Sequence, residues 1–126
     1  AINRLISQLS TSSHTLTEAE LNSLIVSPQS HLYALEYDEK IIGMVTLCIY
    51  QCPTGRKAWI EDVVVDQNYR GKGYGKVMIE KVIALCRNKG NMTLMLTSRP
   101  SRIVANQLYQ SLGFEKRETN VYKMKF

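Results

Sequence analysis

A chain of 126 residues holds one ordinary domain, residues 1–126, and no second core of useful size; 44% hydrophobic and 21% charged residues exclude disordered, collagen-like and disulfide-scaffold classes. The best apolar run, residues 41–50, is strand-sized and contains Gly43, well short of the about 20 residues of a membrane helix, so no spanning segment is expected. The net charge of +5 divides into four basic against seven acidic side chains in residues 1–65 (−3) and twelve against four in residues 66–126 (+8), so the second half attracts an anion.

In chain order, Ile2, Leu5, Ile6 and Leu9 have the spacing of a helix with one buried stripe. Thr17 and Glu20 form a capping box for a second helix, with Leu16 and Leu21 at staple positions, and Pro28 marks its end. Residues 32–37 and 41–50 read as strands joined through Asp38, Glu39 and Lys40 in a hairpin. Residues 51–57, with Pro53 and Gly55, read as a loop, and residues 58–65 as a strand whose closing valines predict burial on both faces. A helix from about Gly75 to Lys89 carries the stripe Ile79, Val82, Ile83 and Cys86, and Gly90 stops it. Residues 92–98 read as a strand. Pro100 suits the first turn of a helix carrying Ala105, Leu108, Tyr109 and Leu112, which Gly113 ends. Short strands at 114–117 and 121–126 complete a mixed α/β domain.

The informative segment lies between the valine strand and the following helix: Arg70, Gly71, Lys72, Gly73, Tyr74, Gly75. Alternate glycines let the backbone approach a ligand, the helix N-terminus favours a phosphate, and Arg70, Lys72 and Lys76 add charge. A dinucleotide fingerprint fails, because the third glycine position falls on Lys76 or Met78 and the acidic ribose partner is missing. A nucleotide P-loop fails because Val77, not Ser or Thr, follows Lys76.

Residues 65–75, Val-Asp-Gln-Asn-Tyr-Arg-Gly-Lys-Gly-Tyr-Gly, closely resemble the signature of the GNAT superfamily of acyl-CoA N-acyltransferases, with Arg70, Gly73 and Gly75 at the matching places. Ala105, Asn106, Tyr109, Gly113 and Phe114 resemble that family's later A-N-x-x-Y-x-x-x-G-F segment. The resemblance implies a central mixed, mainly antiparallel sheet flanked by helices, and acetyl transfer from acetyl-CoA to a primary amine by direct attack on the thioester. It also implies a strand before the first helix, whereas this chain begins at Ala1 in a helical pattern and without Met, as a truncated chain would.

A lysine-like amine with a pKa near 10.4 is neutral less than about 0.1% of the time at pH 7, and losing its proton costs about 4 to 5 kcal/mol, so a general base is useful. Strand alternation sends Glu61 and Asp62 to opposite faces and puts Glu61 with Val63 and Val65. The resemblance implies a base in this neighbourhood; Glu61 is favoured, with Asp62 in reserve. It further implies that Tyr109 protonates the leaving thiolate, that Asn106 contacts the cofactor, and that the backbone of Val63, Val64 and Val65 pairs with the pantetheine arm. Arg70, Gly71, Lys72, Gly73, Tyr74, Gly75 and Lys76 would then hold the pyrophosphate. Tyr50 and Trp59 are candidates to line an acceptor pocket or simply to pack.

His14 and His31 stand in unrelated segments, so no metal is expected. Cys48 and Cys86 read as core and Cys52 as a loop thiol; three unpatterned cysteines and the lack of a signal-peptide core predict a reduced, cytoplasmic setting. Two alternatives stay open: a CoA-binding sensor without catalysis, and a basic nucleic-acid binder, which lacks a recognised motif. The acceptor stays open among small amines, amino acids, aminosugars and protein termini, as does a homodimer.

Overall fold

The structure, a computed structural model, describes residues 1–9 and 15–126 and divides into two compact units, Ala1–Leu96 and Thr97–Phe126. The first unit contains helices α1 (Ile2–Ile6) and α2 (Glu18–Val26), strands β1 (Ser30–Tyr37), β2 (Lys40–Cys52) and β3 (Gly55–Val65), helix α3 (Tyr74–Lys89) and strand β4 (Met92–Met95). A single 3₁₀ turn, Gln67–Tyr69, separates β3 from α3. The second unit contains helix α4 (Ile103–Ser111).

Local chemistry explains the element starts. The Thr17 hydroxyl accepts the Glu20 N–H at 3.1 Å while Glu20 Oε1 accepts the Thr17 N–H at 3.2 Å, the expected reciprocal cap. Asp38 and Glu39 both have positive φ, +50° and +64°, the twist that a two-residue hairpin turn requires. The second hairpin is tighter than expected: β2 and β3 pair up to Cys52 opposite Gly55, so Pro53 and Thr54 alone make the turn.

The sheet order is β1-β2-β3-β4, antiparallel through β3 and parallel between β3 and β4. One face carries Met44 and Val64, which cluster with Leu5 of α1 and with Ile2, Ile6 and Leu32. The other receives α3, whose Met78, Ile79, Val82 and Cys86 are buried, as the periodicity predicted for three of the four stripe positions; Ile83 is half-buried. Gly43 is a close-approach point on that second face. A Cβ there would lie 3.1 Å from Met78 Sδ and 3.2 Å from the Val64 carbonyl oxygen. Gly43→Ala is therefore expected to cost about 1 to 3 kcal/mol, read as a lower midpoint in urea denaturation at unchanged m-value.

Several expectations shift. The valine strand is not buried on both faces: Val64 is buried but Val63 and Val65 are half-buried. The cause is that β3 pairs with β4 only from Arg56 to Trp59, and β3 continues to Val65 beyond the end of that ladder. Strand β4 stops at Met95 rather than at 98, and α4 begins at Ile103, after a turn that contains Pro100. Residues 114–126 form no strand; the Phe114 N–H instead closes the end of α4 on the Tyr109 carbonyl at 3.0 Å. An alternating pattern supplies side chains for a strand but not the neighbouring backbone whose hydrogen bonds define one.

Candidate active site

The end of β3 is shaped by a break in register. Thr46 faces Glu61 and Met44 faces Val64, so Asp62 and Val63 together stand opposite Val45. This β-bulge holds Asp62 at φ +51°, a left-handed conformation that aspartate adopts more readily than most residues. The bulge reverses the alternation: Glu61 shares its face with Trp59 and Val64, not with Val63 and Val65 as simple period-two counting predicts. Glu61 and Asp62 are both exposed. Partial desolvation, and secondarily the neighbouring Asp62 charge, push the Glu61 carboxyl above its ordinary value. A carboxylate so shifted binds a proton more tightly than usual, which is what a base requires.

Trp59 and Tyr50 lie on the same face, and the indole Nε1–H donates to the Tyr50 hydroxyl at 2.9 Å. Both lie to one side of Glu61 along that face, Trp59 next to it and Tyr50 one pair further on. Beside this row, the edge of β3 beyond Trp59 has no ladder to β4, so it can offer main-chain N–H and C=O groups to an extended guest.

The chain then turns through Gln67–Tyr69 into the glycine loop. Gly71 and Gly73 have φ of +77° and +85°, and a Cβ on either would meet nothing within 4 Å. Their dihedrals demand glycine, and the loop is open above them. Gly73 is the N-cap of α3, and the Val77 N–H is the first to close back on it, to the Gly73 carbonyl at 3.2 Å. The N–H groups of residues 74–76 thus precede the helical ladder at the positive end of a 16-residue helix. Arg70 is oriented by its Nε–H, which donates to the Val65 carbonyl at 2.9 Å. Lys72 Nζ stands 5.7 Å from the centroid of the Tyr69 ring, and Lys76 lies 3.9 Å from Glu80 one turn on. The cradle fits a pyrophosphate in dihedrals, donors and charge.

Two features of this region escaped sequence reading. Tyr37, Tyr69 and Tyr74 form a ring cluster with centroids 5.9 to 6.5 Å apart, which ties the β1–β2 hairpin to the loop. Asp66, which enters the sequence analysis only within the signature-like stretch 65–75, is 1% exposed and paired with Arg4. The one signal for it was an acidic residue directly following three valines.

In the second unit, Tyr109 is buried and its ring meets Phe114 edge-to-face at 6.0 Å. The Asn106 amide donates to the carbonyls of Arg99 and Arg102 at 2.9 and 2.7 Å, which fixes the chain entering α4. The structure brings Glu61, Asp62, Val63, Val64, Val65 and residues 70–76 together in the first unit; Asn106 and Tyr109 belong to the second.

Among the described residues no three His, Cys, Asp or Glu side chains cluster as metal ligands, and no helix is long and apolar enough to cross a membrane. His14 lies outside the described residues, and His31 stacks on Tyr33 at 6.4 Å. Cys48, Cys52 and Cys86 are free thiols, and burial pushes that of Cys86 up, away from reactivity.

The chain is similar to known proteins in sequence and in fold. Human N-acetyltransferase 8B is 32% identical over 89 residues, covering 69% of this chain and 39% of that protein. The glucosamine 6-phosphate N-acetyltransferase of Trypanosoma brucei brucei is 38% identical over 82 residues, covering 63% of this chain and 54% of its own length. This chain thus spans about two fifths to about half of those relatives. The crystal structure of a Trypanosoma brucei acetyltransferase superposes with a TM-score of 0.83 at 26% identity over 98% of this chain and 90% of that one. A family model described as the acetyltransferase (GNAT) family matches residues 3–114. The chain belongs to the acetyltransferase (GNAT) family.

Proposed function

We propose that this chain is an N-acetyltransferase domain that moves an acetyl group from acetyl-CoA to a primary amine by direct attack. The observation that carries the reading is the continuity of the free β3 edge with the glycine loop: an unpaired strand edge, which an extended pantetheine arm could join, leads to main-chain donors at a helix N-terminus, which a pyrophosphate would need. Acetyl-CoA, when bound, supplies a thioester whose acyl carbon accepts the amine.

The protein's residues do the rest. Residues 71–76 hold the pyrophosphate through main-chain N–H groups, with Arg70, Lys72 and Lys76 balancing its charge. The edge of Val63, Val64 and Val65 aligns the arm, and an N–H re-aimed by the bulge polarises the thioester carbonyl. Glu61 takes the ammonium proton, directly or through water, with Asp62 holding its affinity up. Asn106 contacts the cofactor, and Tyr109 returns a proton to the sulfur. No metal has a part. The acceptor class is an amine; the relative acting on glucosamine 6-phosphate makes aminosugars the first to screen. The free cysteines fit a reduced, cytoplasmic setting.

Coenzyme A is expected to raise the melting temperature, and Tyr109→Phe to lower turnover while leaving that shift nearly intact. Absence of a shift at millimolar coenzyme A defeats the reading. Stabilisation without thiol release across an amine panel identifies a sensor instead, and steeply salt-dependent DNA or RNA affinity a nucleic-acid binder.

A further inference from the structure

Asp66 has no part in the chemistry just described, yet it is the one charged side chain among the buried described residues, at 1% exposure. It stands where β3 ends and the path to the glycine loop begins. Its N–H donates to the Ile42 carbonyl at 2.7 Å, and its carbonyl accepts from the Tyr69 N–H at 2.8 Å. Its Oδ1 accepts from the Asn68 N–H at 3.0 Å, capping the 3₁₀ turn, and its Oδ2 takes the guanidinium of Arg4. Arg4 in turn donates from Nη2 to the Ile41 carbonyl at 2.8 Å. The turn that follows α1 makes a second link, because Gln8 Oε1 accepts the Gln67 N–H at 2.8 Å.

Burying an ion pair adds little net stability, since desolvation offsets most of the attraction. Its geometric effect is larger. Every group of Asp66 that can form a hydrogen bond is used, and the partners lie on α1, on β2 and on the 3₁₀ turn itself. The backbone entering Arg70 is therefore held from three sides before any ligand arrives. A loop already in its binding conformation loses less entropy when a ligand docks, and that saving appears as affinity.

We propose that Arg4 and Asp66 are a positioning pair that preorganises residues 67–75 for coenzyme A; this rests on the reading of that loop as the pyrophosphate cradle. Neither residue touches the ligand. The pair also places α1 among the determinants of cofactor affinity, although α1 contributes nothing to the cradle.

The test is coenzyme A affinity by isothermal titration calorimetry, well below each variant's melting temperature, with steady-state kinetics alongside. Asp66→Asn and Arg4→Gln are each expected to raise the dissociation constant and the KM for acetyl-CoA about tenfold while kcat at saturation stays within about twofold. Arg4→Lys should recover most of the affinity, and the double variant Arg4→Gln with Asp66→Asn should be no weaker than the worse single one. A purely structural pair lowers the melting temperature without moving the dissociation constant of the folded protein; that result, or losses that add in the double variant, overturns the proposal. Should Asp66→Asn fail to fold, the two Arg4 variants carry the test, because Arg4 is half-exposed. Wild-type protein that binds no coenzyme A overturns both this proposal and the functional reading, whereas wild-type binding with unaltered variants overturns this one alone.

Discussion

Gly75→Leu is expected to leave the fold as stable as before, or more so, and to weaken coenzyme A binding by at least about 100-fold, or about 2.7 kcal/mol. Gly75 differs from the two glycines before it. It does not have a positive φ, and a Cβ there would meet only Val65 Cγ2, at 4.0 Å, an ordinary contact. Nothing inside the protein therefore requires glycine in this first turn of α3. Leucine gains about 0.8 kcal/mol of helix propensity over glycine, and its side chain leans towards the helix N-terminus, over the loop amides. The substitution covers the cradle without bending it. Gly73→Ala is the contrasting control: at φ +85° it is strained by about 1 to 2 kcal/mol, so stability falls along with affinity. Calorimetric titration and thermal melting on both variants separate the two. Unchanged affinity in Gly75→Leu would place the ligand elsewhere.

Glu61→Gln is expected to lower kcat by about 100-fold or more at neutral pH, with the KM for acetyl-CoA little changed. Because the folded protein raises the Glu61 pKa, its protonated form is favoured by folding. That contribution to stability is complete at pH values below the unfolded pKa and is lost as pH rises through the folded one. Removing the charge therefore does not destabilise the protein at pH 7, and a fall in kcat at unchanged melting temperature reports chemistry. The rate should climb with pH along a limb set by Glu61, above the ordinary carboxylate range. Asp62→Asn removes the repelling charge while keeping a side chain suited to the left-handed bulge position, and should move that limb to lower pH. A limb that stays in place in both variants assigns the base to another group or to water.

The parts of the site legible in the sequence are those written in consecutive residues. The capping box at Thr17 and Glu20, the alternate glycines of the loop and the stripe of α3 each depend on neighbours a few positions apart, so spacing alone discloses them. The bulge does not, because it is a mismatch between two strands: only the pairing of Glu61 with Thr46 and Val64 with Met44 reveals the extra residue. Its consequence, the reversal that sets Glu61 on the face of Val64 rather than that of Val63 and Val65, was hidden for the same reason. The Arg4–Asp66 pair joins residues 62 positions apart and carries no local pattern. The last segment failed in the opposite way, since Tyr122, Met124 and Phe126 alternate as a strand would while residues 114–126 form none.

A crystal structure with coenzyme A tests the central claim most directly. Pyrophosphate oxygens within about 3 Å of main-chain nitrogens of residues 71–76, with the pantetheine arm along the β3 edge at Val63 to Val65, are the predicted result. Coenzyme A bound away from that loop, or lying across it with those N–H groups unengaged, would contradict it.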